Sequence, residues 1–226
     1  SDKIVLIEMR RQLLRSALGR KLFDVAAALL VVCATNEGVE WFDATQLSKL
    51  TSASSDNDFV KAVLDKNSVA HAVCAALSRL PAAVQQYDIN TQQFVEITRE
   101  QLVDQLAPAT RSIWQRWLKC SKLLSLDFTG SDTECDLSLL QHFDELRSLS
   151  LRDCKNLPSN ALRVLEHLPL LEQLSASNTG MSDISCLRKC TKLKELYLSH
   201  CKNLPGDALR VLEYLPLLEE LSATNT

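Results

Sequence analysis

"CKNLPSNALRVLEHLPLLEQLSASNT" (residues 154–179) returns as "CKNLPGDALRVLEYLPLLEELSATNT" (residues 201–226), 47 positions on, with five substitutions in 26 residues. A chain that copies itself at such a period is built by stacking like units, so the repeat is read before any other feature.

Each 47-residue unit holds two shorter ones. The frame L-x-x-L-x-L occurs as Leu146, Leu149, Leu151 and as Leu193, Leu196, Leu198. Alanine takes the third place in Leu171, Leu174, Ala176 and in Leu218, Leu221, Ala223, and Leu123, Leu126, Phe128 form a weaker first copy. The frame starts are separated by 23, 25, 22 and 25 residues. Within a frame the leucines alternate, which predicts a short strand with one apolar and one wet face. Between frames, Leu162, Leu165 and Leu168 recur at helical spacing, with Pro169 marking the break. One such unit cannot bury its own leucines; only neighbours can cover them.

At these residues the chain resembles the leucine-rich repeat family. The units with Cys154 and Cys201, followed by Leu157 and Leu204, look like its cysteine-containing class, and "TGMSDISCLRKCTKLKEL" is similar to the 22-residue type. The resemblance covers roughly residues 120–226. It implies a curved solenoid with a parallel sheet on the inner face and helices outside, serving to hold a protein partner.

Residues between and beside the frame leucines should point outward on that inner face, giving a surface of small hydroxyls with few large anchors. Partner contacts are assigned there to Arg152, Gln173, Glu195, Tyr197 and Glu220, with Tyr197 and Arg152 first because binding hot spots favour tyrosine and arginine. The alternative is that these strands are simply solvated and that contacts lie on the loops or in the N-terminal half. Asp127, Glu195 and Glu220 against one arginine give the wrong sign for a phosphate track.

Residues 1–118 read as a separate, mainly helical domain and 119–226 as about five repeats. Together they make an α/β chain. The first helix, about Ile4 to Leu18, has Ile7, Leu14 and Leu18 on one side and Arg10, Arg11 and Arg15 on the other, with Arg20 and Lys21 just beyond. "NEG" at Asn36 to Gly38 stops a second helix, "VEWF" is a candidate short strand, and Asp43 with Gln46 has the form of a capping box. "TSASSDND" (Thr51 to Asp58) reads as a polar loop. Helices are expected at Phe59 to Lys66 and at Val69 to Leu80, the latter capped by Ser68 and ended by Pro81. "AAVQQYDINTQQFVEI" alternates on both sides of Asp88 to Thr91, which predicts strand, turn and strand. Thr98 with Gln101 should cap another helix, and Pro108 separates it from a last one holding Trp114 and Trp117.

Helix, short strand, helix, helix and hairpin is the order of a winged-helix domain, and residues 4–97 resemble its La-motif version. In that family adjacent aromatics and an aspartate in the early helices hold the 3′ end of RNA. Here the corresponding stretch offers Gln12, Leu13, Leu14 and Ser16, with Phe23 as its aromatic, so the ring-stacking residues are largely missing. Arg10, Arg11, Arg15, Arg20, Lys21 and Phe23 are the candidate contacts if RNA binds. The simpler reading of the five cations is a solvated helix face.

Composition restrains the rest. The net charge is −3; residues 1–118 carry 13 basic and 13 acidic side chains and residues 119–226 carry 12 and 15, so neither half has the basic excess of a duplex binder. The eight cysteines do not read as a disulfide framework. Cys154 and Cys201 occupy equivalent repeat positions, Cys33 and Cys74 lie in apolar helical stretches, and no secretory leader opens the sequence, which together point to a reducing, intracellular setting, cytoplasmic or nuclear. The apolar run from Val25 to Ala34 is too short to span a bilayer. Cys186, Cys190, His200 and Cys201 are the best metal-like set, but they divide between the outer segment and the inner strand's end, so structural thiols are expected and no metal.

No phosphate-cradling glycine loop and no nucleophile with a positioned base stand out, and His71 and His142 read as core or surface histidines; no enzyme and no cofactor are expected. The leading function is therefore a non-catalytic protein-interaction scaffold. RNA binding through the N-terminal domain is the second reading and a ubiquitin-ligase substrate receptor the third, although no F-box-like leader precedes the repeats. Thr226 lies at the repeat position of Thr179 with no capping unit after it, so either a longer native chain or a second copy is expected to cover the end.

Overall fold

The computed structural model describes residues 12–13, 17, 55–65, 68–88, 92–106, 108–131, 135–158 and 160–226. The chain divides into two compact units, Ser1–Val63 with Asn67–Trp117, and Leu64–Lys66 with Leu118–Thr226.

In the first unit, Gln12, Leu13 and Ala17 are helical. The other residues of the early helix, "VEWF", the Asp43–Gln46 pair and Cys33 lie outside the described residues, so the winged-helix order is not established. Helix α1 (Asp56–Leu64) starts three residues earlier than the sequence suggests and takes in the end of the supposed polar loop. The reason is local. The Ser55 hydroxyl accepts the Asp58 N–H at 3.1 Å, and two aspartates in the first turn suit the positive end of the helix dipole. Phe59, Val60 and Val63 then fall on the buried side.

Helix α2 (Val69–Ser78) is capped by Ser68, whose side chain accepts from the His71 N–H at 3.0 Å. Ala70, Ala75 and Ala76 are buried on it, as expected of a helix that packs closely on most sides. His71 is a core histidine: it is 2 % exposed, with Nδ1 3.0 Å from the Val63 carbonyl oxygen. The hairpin follows as β1 (Ala83–Asp88) and β2 (Gln93–Thr98), paired antiparallel with Val84 opposite Ile97 on its buried side. Thr98 and Gln101 complete a reciprocal capping box on α3 (Arg99–Asp104). Pro108 is the first residue of α4 (Pro108–Cys120), where a missing N–H costs nothing.

The second unit is a stack. Strands β3 (Ser125–Asp127), β4 (Ser148–Ser150), β5 (Gln173–Ser175), β6 (Glu195–Tyr197) and β7 (Glu220–Ser222) form one parallel sheet in sequence order. Register puts Leu126, Leu149, Leu174, Leu196 and Leu221 in one row. The frame leucines of the inner repeats face the core: Leu146, Leu171, Leu174, Leu193 and Leu196 are fully buried. On β7, the edge strand, Leu221 is 42 % exposed because no further strand lies against it within the chain.

Each strand leads into a turn through a residue at positive φ: Gly130, Asp153, Asn178, His200 and Asn225. Glycine, asparagine and aspartate tolerate that left-handed conformation best, and four of the five positions use them. The turn brings Cys154 and Cys201 inward, where each thiol donates to the strand-end carbonyl of the preceding repeat. Cys154 Sγ lies 3.0 Å from the Phe128 oxygen and Cys201 Sγ 3.2 Å from that of Ala176. A small donor is needed there, which explains the cysteine at both positions.

The outer segments are helical, and of the short 3-10 kind: η1 (Leu137–His142), η2 (Ala161–His167), η3 (Ser185–Lys189) and η4 (Ala208–Tyr214). Leu162, Leu165 and Leu168 recur every third residue, which stacks them on one side of a helix with three residues per turn. A strict period of three fits this geometry better than the 3.6 of an α-helix. Among the described residues no helix is long and apolar enough to cross a membrane.

Candidate interaction face

On the sheet's open face, the positions after the first leucine of each frame form parallel rows that run across the repeats. Arg147, Glu172 and Lys194 stand in the first row. Glu172 meets Arg147 at 2.5 Å and Lys194 at 2.7 Å. The hydrogen bonds from Lys194 and then Arg147 hold the Glu172 carboxyl below its ordinary pKa, and Glu172 in turn raises that of Lys194. This row neutralises itself by alternating sign.

The next row does not. Its members are Ser125, Ser148, Gln173, Glu195 and Glu220, and Glu195 lies in register with Glu220 on the neighbouring strand. Neither glutamate has an ion pair among the described residues. Gln173 Nε2 donates to Glu195 Oε1 at 2.8 Å, and the Tyr197 hydroxyl donates to Glu195 Oε2 at 3.1 Å. The carboxylates of Glu220 and Glu195, together with partial burial, hold the phenol's proton until about 12. Like charges directly opposite on adjacent strands oppose pairing, so this arrangement is a local cost to the fold.

The small hydroxyls around this patch bond to one another. Thr129 Oγ1 and Ser150 Oγ are 2.7 Å apart, Ser199 Oγ and Ser222 Oγ are 2.9 Å apart, and Thr224 Oγ1 donates to Ser199 Oγ at 3.0 Å. They form a low, polar floor beside the taller glutamates and tyrosine.

Of the contact residues expected from the sequence, four come together: Gln173, Glu195, Tyr197 and Glu220. Arg152 stands apart beyond the end of β4, paired with Asp153 at 3.4 Å and 64 % exposed. Arg10, Arg11, Arg15, Arg20, Lys21 and Phe23 lie outside the described residues, as do Leu14 and Ser16, while the neighbouring Gln12 and Leu13 are exposed. The self-neutralising row was missed by sequence reading, although its signal is visible as Arg147, Glu172, Lys194 and Glu219 at one repeat position.

The cysteine and histidine set does not converge. Burial pushes Cys186 up to about 12 and Cys190 up to about 11. Cys190 Sγ donates to the Leu165 oxygen at 3.5 Å, Cys201 turns to Ala176, and His200 Nδ1 lies 3.4 Å from Asn225. Among the described residues no group of three or more histidine, cysteine, aspartate or glutamate side chains is placed to hold a metal.

Short parallel strands, returning 3-10 segments and a frame recurring every 22 to 25 residues define the second unit as a repeat solenoid. More narrowly, a family model described as leucine-rich repeats in two copies matches residues 169–226, within this unit. Among solved structures, an internalin of Listeria monocytogenes is similar at 23% identity and a TM-score of 0.43, over 48% of this chain and 31% of that one. The chain thus spans less than a third of that protein's length. No curated protein matches the sequence.

Proposed function

We propose that the chain is a non-catalytic protein-interaction scaffold whose partner docks on the open face of the repeat sheet, around Tyr197. A leucine-rich repeat unit is a scaffold of the interaction type, and the finer assignment rests on one observation. Glu195 and Glu220 stand in register without a cation, while in the row beside them Glu172 is paired with both Arg147 and Lys194. A fold that keeps such a pair bears a cost that a basic partner would relieve. Tyr197 supplies the large amphipathic ring that interfaces favour, and the short hydroxyl side chains leave room above it.

The partner's contacting segment is accordingly basic, with a lysine or arginine over the two carboxylates. Buried cysteines such as Cys186, Cys190 and Cys201, whose thiols sit in the repeat core, support a reducing, intracellular setting. Capture from cell extract on the immobilised chain tests the reading. Proteins retained by the wild type should be lost by the E195R/E220R double variant at unchanged circular dichroism, and an identical retained set would overturn it. Sequencing RNA recovered in the same capture examines the RNA alternative, whose candidate cations are Arg10, Arg11, Arg15, Arg20 and Lys21.

A further inference from the structure

The outer side of the stack holds one groove twice. The first lies between η1 and η2 with a volume of about 280 Å³, and the second lies between η3 and η4 with about 270 Å³. Their linings correspond at the 47-residue period: Pro158 with Pro205, Arg163 with Arg210, and Val164 with Val211. In each groove an exposed proline stands at the rim and a buried valine forms the floor.

The charges in each groove are unequally committed. Asp136 accepts the Ser138 N–H at 2.9 Å and Asp183 accepts that of Ser185 at 2.8 Å, so both carboxylates serve the backbone. Arg163 and Arg210 are exposed, and among the described residues their guanidinium groups make no hydrogen bond or ion pair, although Arg163 lies near enough to Glu166 and Asp183 to lower the pKa of both carboxyls. Between the two grooves, the seam of η2 and η3 is bridged by Lys189 and Glu166 at 2.6 Å. The open grooves therefore fall at equivalent seams, each with one exposed guanidinium that makes no hydrogen bond or ion pair among the described residues, beside an apolar floor.

We propose that the two grooves are paired, equivalent sites for one extended acidic segment of a protein partner. Each arginine takes a carboxylate of that segment, and each valine floor takes the small apolar side chain beside it. A guanidinium suits a carboxylate because its fork can bond both oxygens. Two repeats separate the grooves by about 10 Å along the sheet and by more outside, a distance that an extended chain advancing about 3.3 Å per residue covers in roughly four residues. Acid–apolar steps four residues apart would then fill both sites at once, and the second contact would gain from the first.

The two sites are not equal in strength. Asp207 replaces Asn160 and adds a carboxylate to the second groove, while its extra cation, Arg188, already lies over the Tyr214 ring at 5.0 Å. The first groove is thus the tighter one. Because the 3-10 segments return the chain on the side opposite the open sheet face, this surface works independently of the patch around Tyr197.

Fluorescence polarisation with the labelled peptide Gly-Val-Glu-Gly-Gly-Val-Glu-Gly tests the proposal, against a control whose second glutamate is glutamine. The two-acid peptide should bind at least about tenfold more tightly than the control. Arg163→Gln should bring it down to the control's level, Arg210→Gln should weaken it less, and the double variant should remove binding. Both arginines are exposed, so the variants should keep the wild-type circular dichroism, and Y197A should leave the peptide's affinity unchanged. Equal binding of the two peptides, no binding of either, or indifference to Arg163→Gln would overturn the proposal.

Discussion

Glu195 and Glu220 lie opposite each other on adjacent parallel strands, both on the open face, and no cation of the described structure reaches either one. One row away, Glu172 sits between Arg147 and Lys194. The same sheet thus holds one compensated and one uncompensated line of charge, separated by a single residue step.

Replacing Glu220 by lysine converts the like-charge pair into an opposite-charge one. The variant should melt roughly 1–4 °C higher than the wild type, as cross-strand pairs of this kind allow. It should at the same time lose the partner captured on the open face. A lower melting temperature in differential scanning calorimetry would show that the two glutamates are compensated in some other way.

The Tyr197 phenol should titrate at about 12, against an ordinary value of 10.0. Because the protonated form is the one the fold favours, its contribution to stability is fully present below about 10 and is lost as pH rises toward 12. Ultraviolet titration should show a late phenolate phase that is missing from Tyr197→Phe. If that variant keeps the phase, the hydrogen bond to the glutamates is not made in solution.

Leu174 and Leu221 occupy one frame position but differ in cover, fully buried against 42 % exposed. Leu174→Ala should cost about 2–5 kcal/mol in urea denaturation of the repeat unit. Leu221→Ala should cost under about 1 kcal/mol. Equal losses would mean that the β7 leucine is covered as well as its inner counterpart.

Cys186 and Cys190 should resist alkylation in the native chain. With thiols pushed up to about 12 and about 11, the thiolate fraction at pH 8 is about one in ten thousand for Cys186 and about one in a thousand for Cys190. Iodoacetamide followed by peptide mass mapping should find both unmodified until denaturant is added. Native-state labelling at the rate of a free thiol would contradict their burial.

How much of this was legible in the sequence follows from how local each feature is. Alternation within a frame depends on residues two apart, so the five strands, their register and the inward leucines could be read directly. Cap chemistry is equally local, as Ser68 with His71 and Thr98 with Gln101 show. The outer segments could be read as helical but not as 3-10, because a spacing of three at Leu162, Leu165 and Leu168 is shared by the α-helix and the 3-10 helix.

What the sequence by itself determined is the repeat: its frame, its number of copies, and which side of each strand is wet. Tertiary structure alone decided which wet residues meet, because each row across the sheet joins side chains 22 to 25 positions apart in the chain. Stacking left Glu195 and Glu220 together without a cation and gave Glu172 two of them. The charge of each residue is written locally. Its compensation depends on which neighbour the next repeat sets beside it.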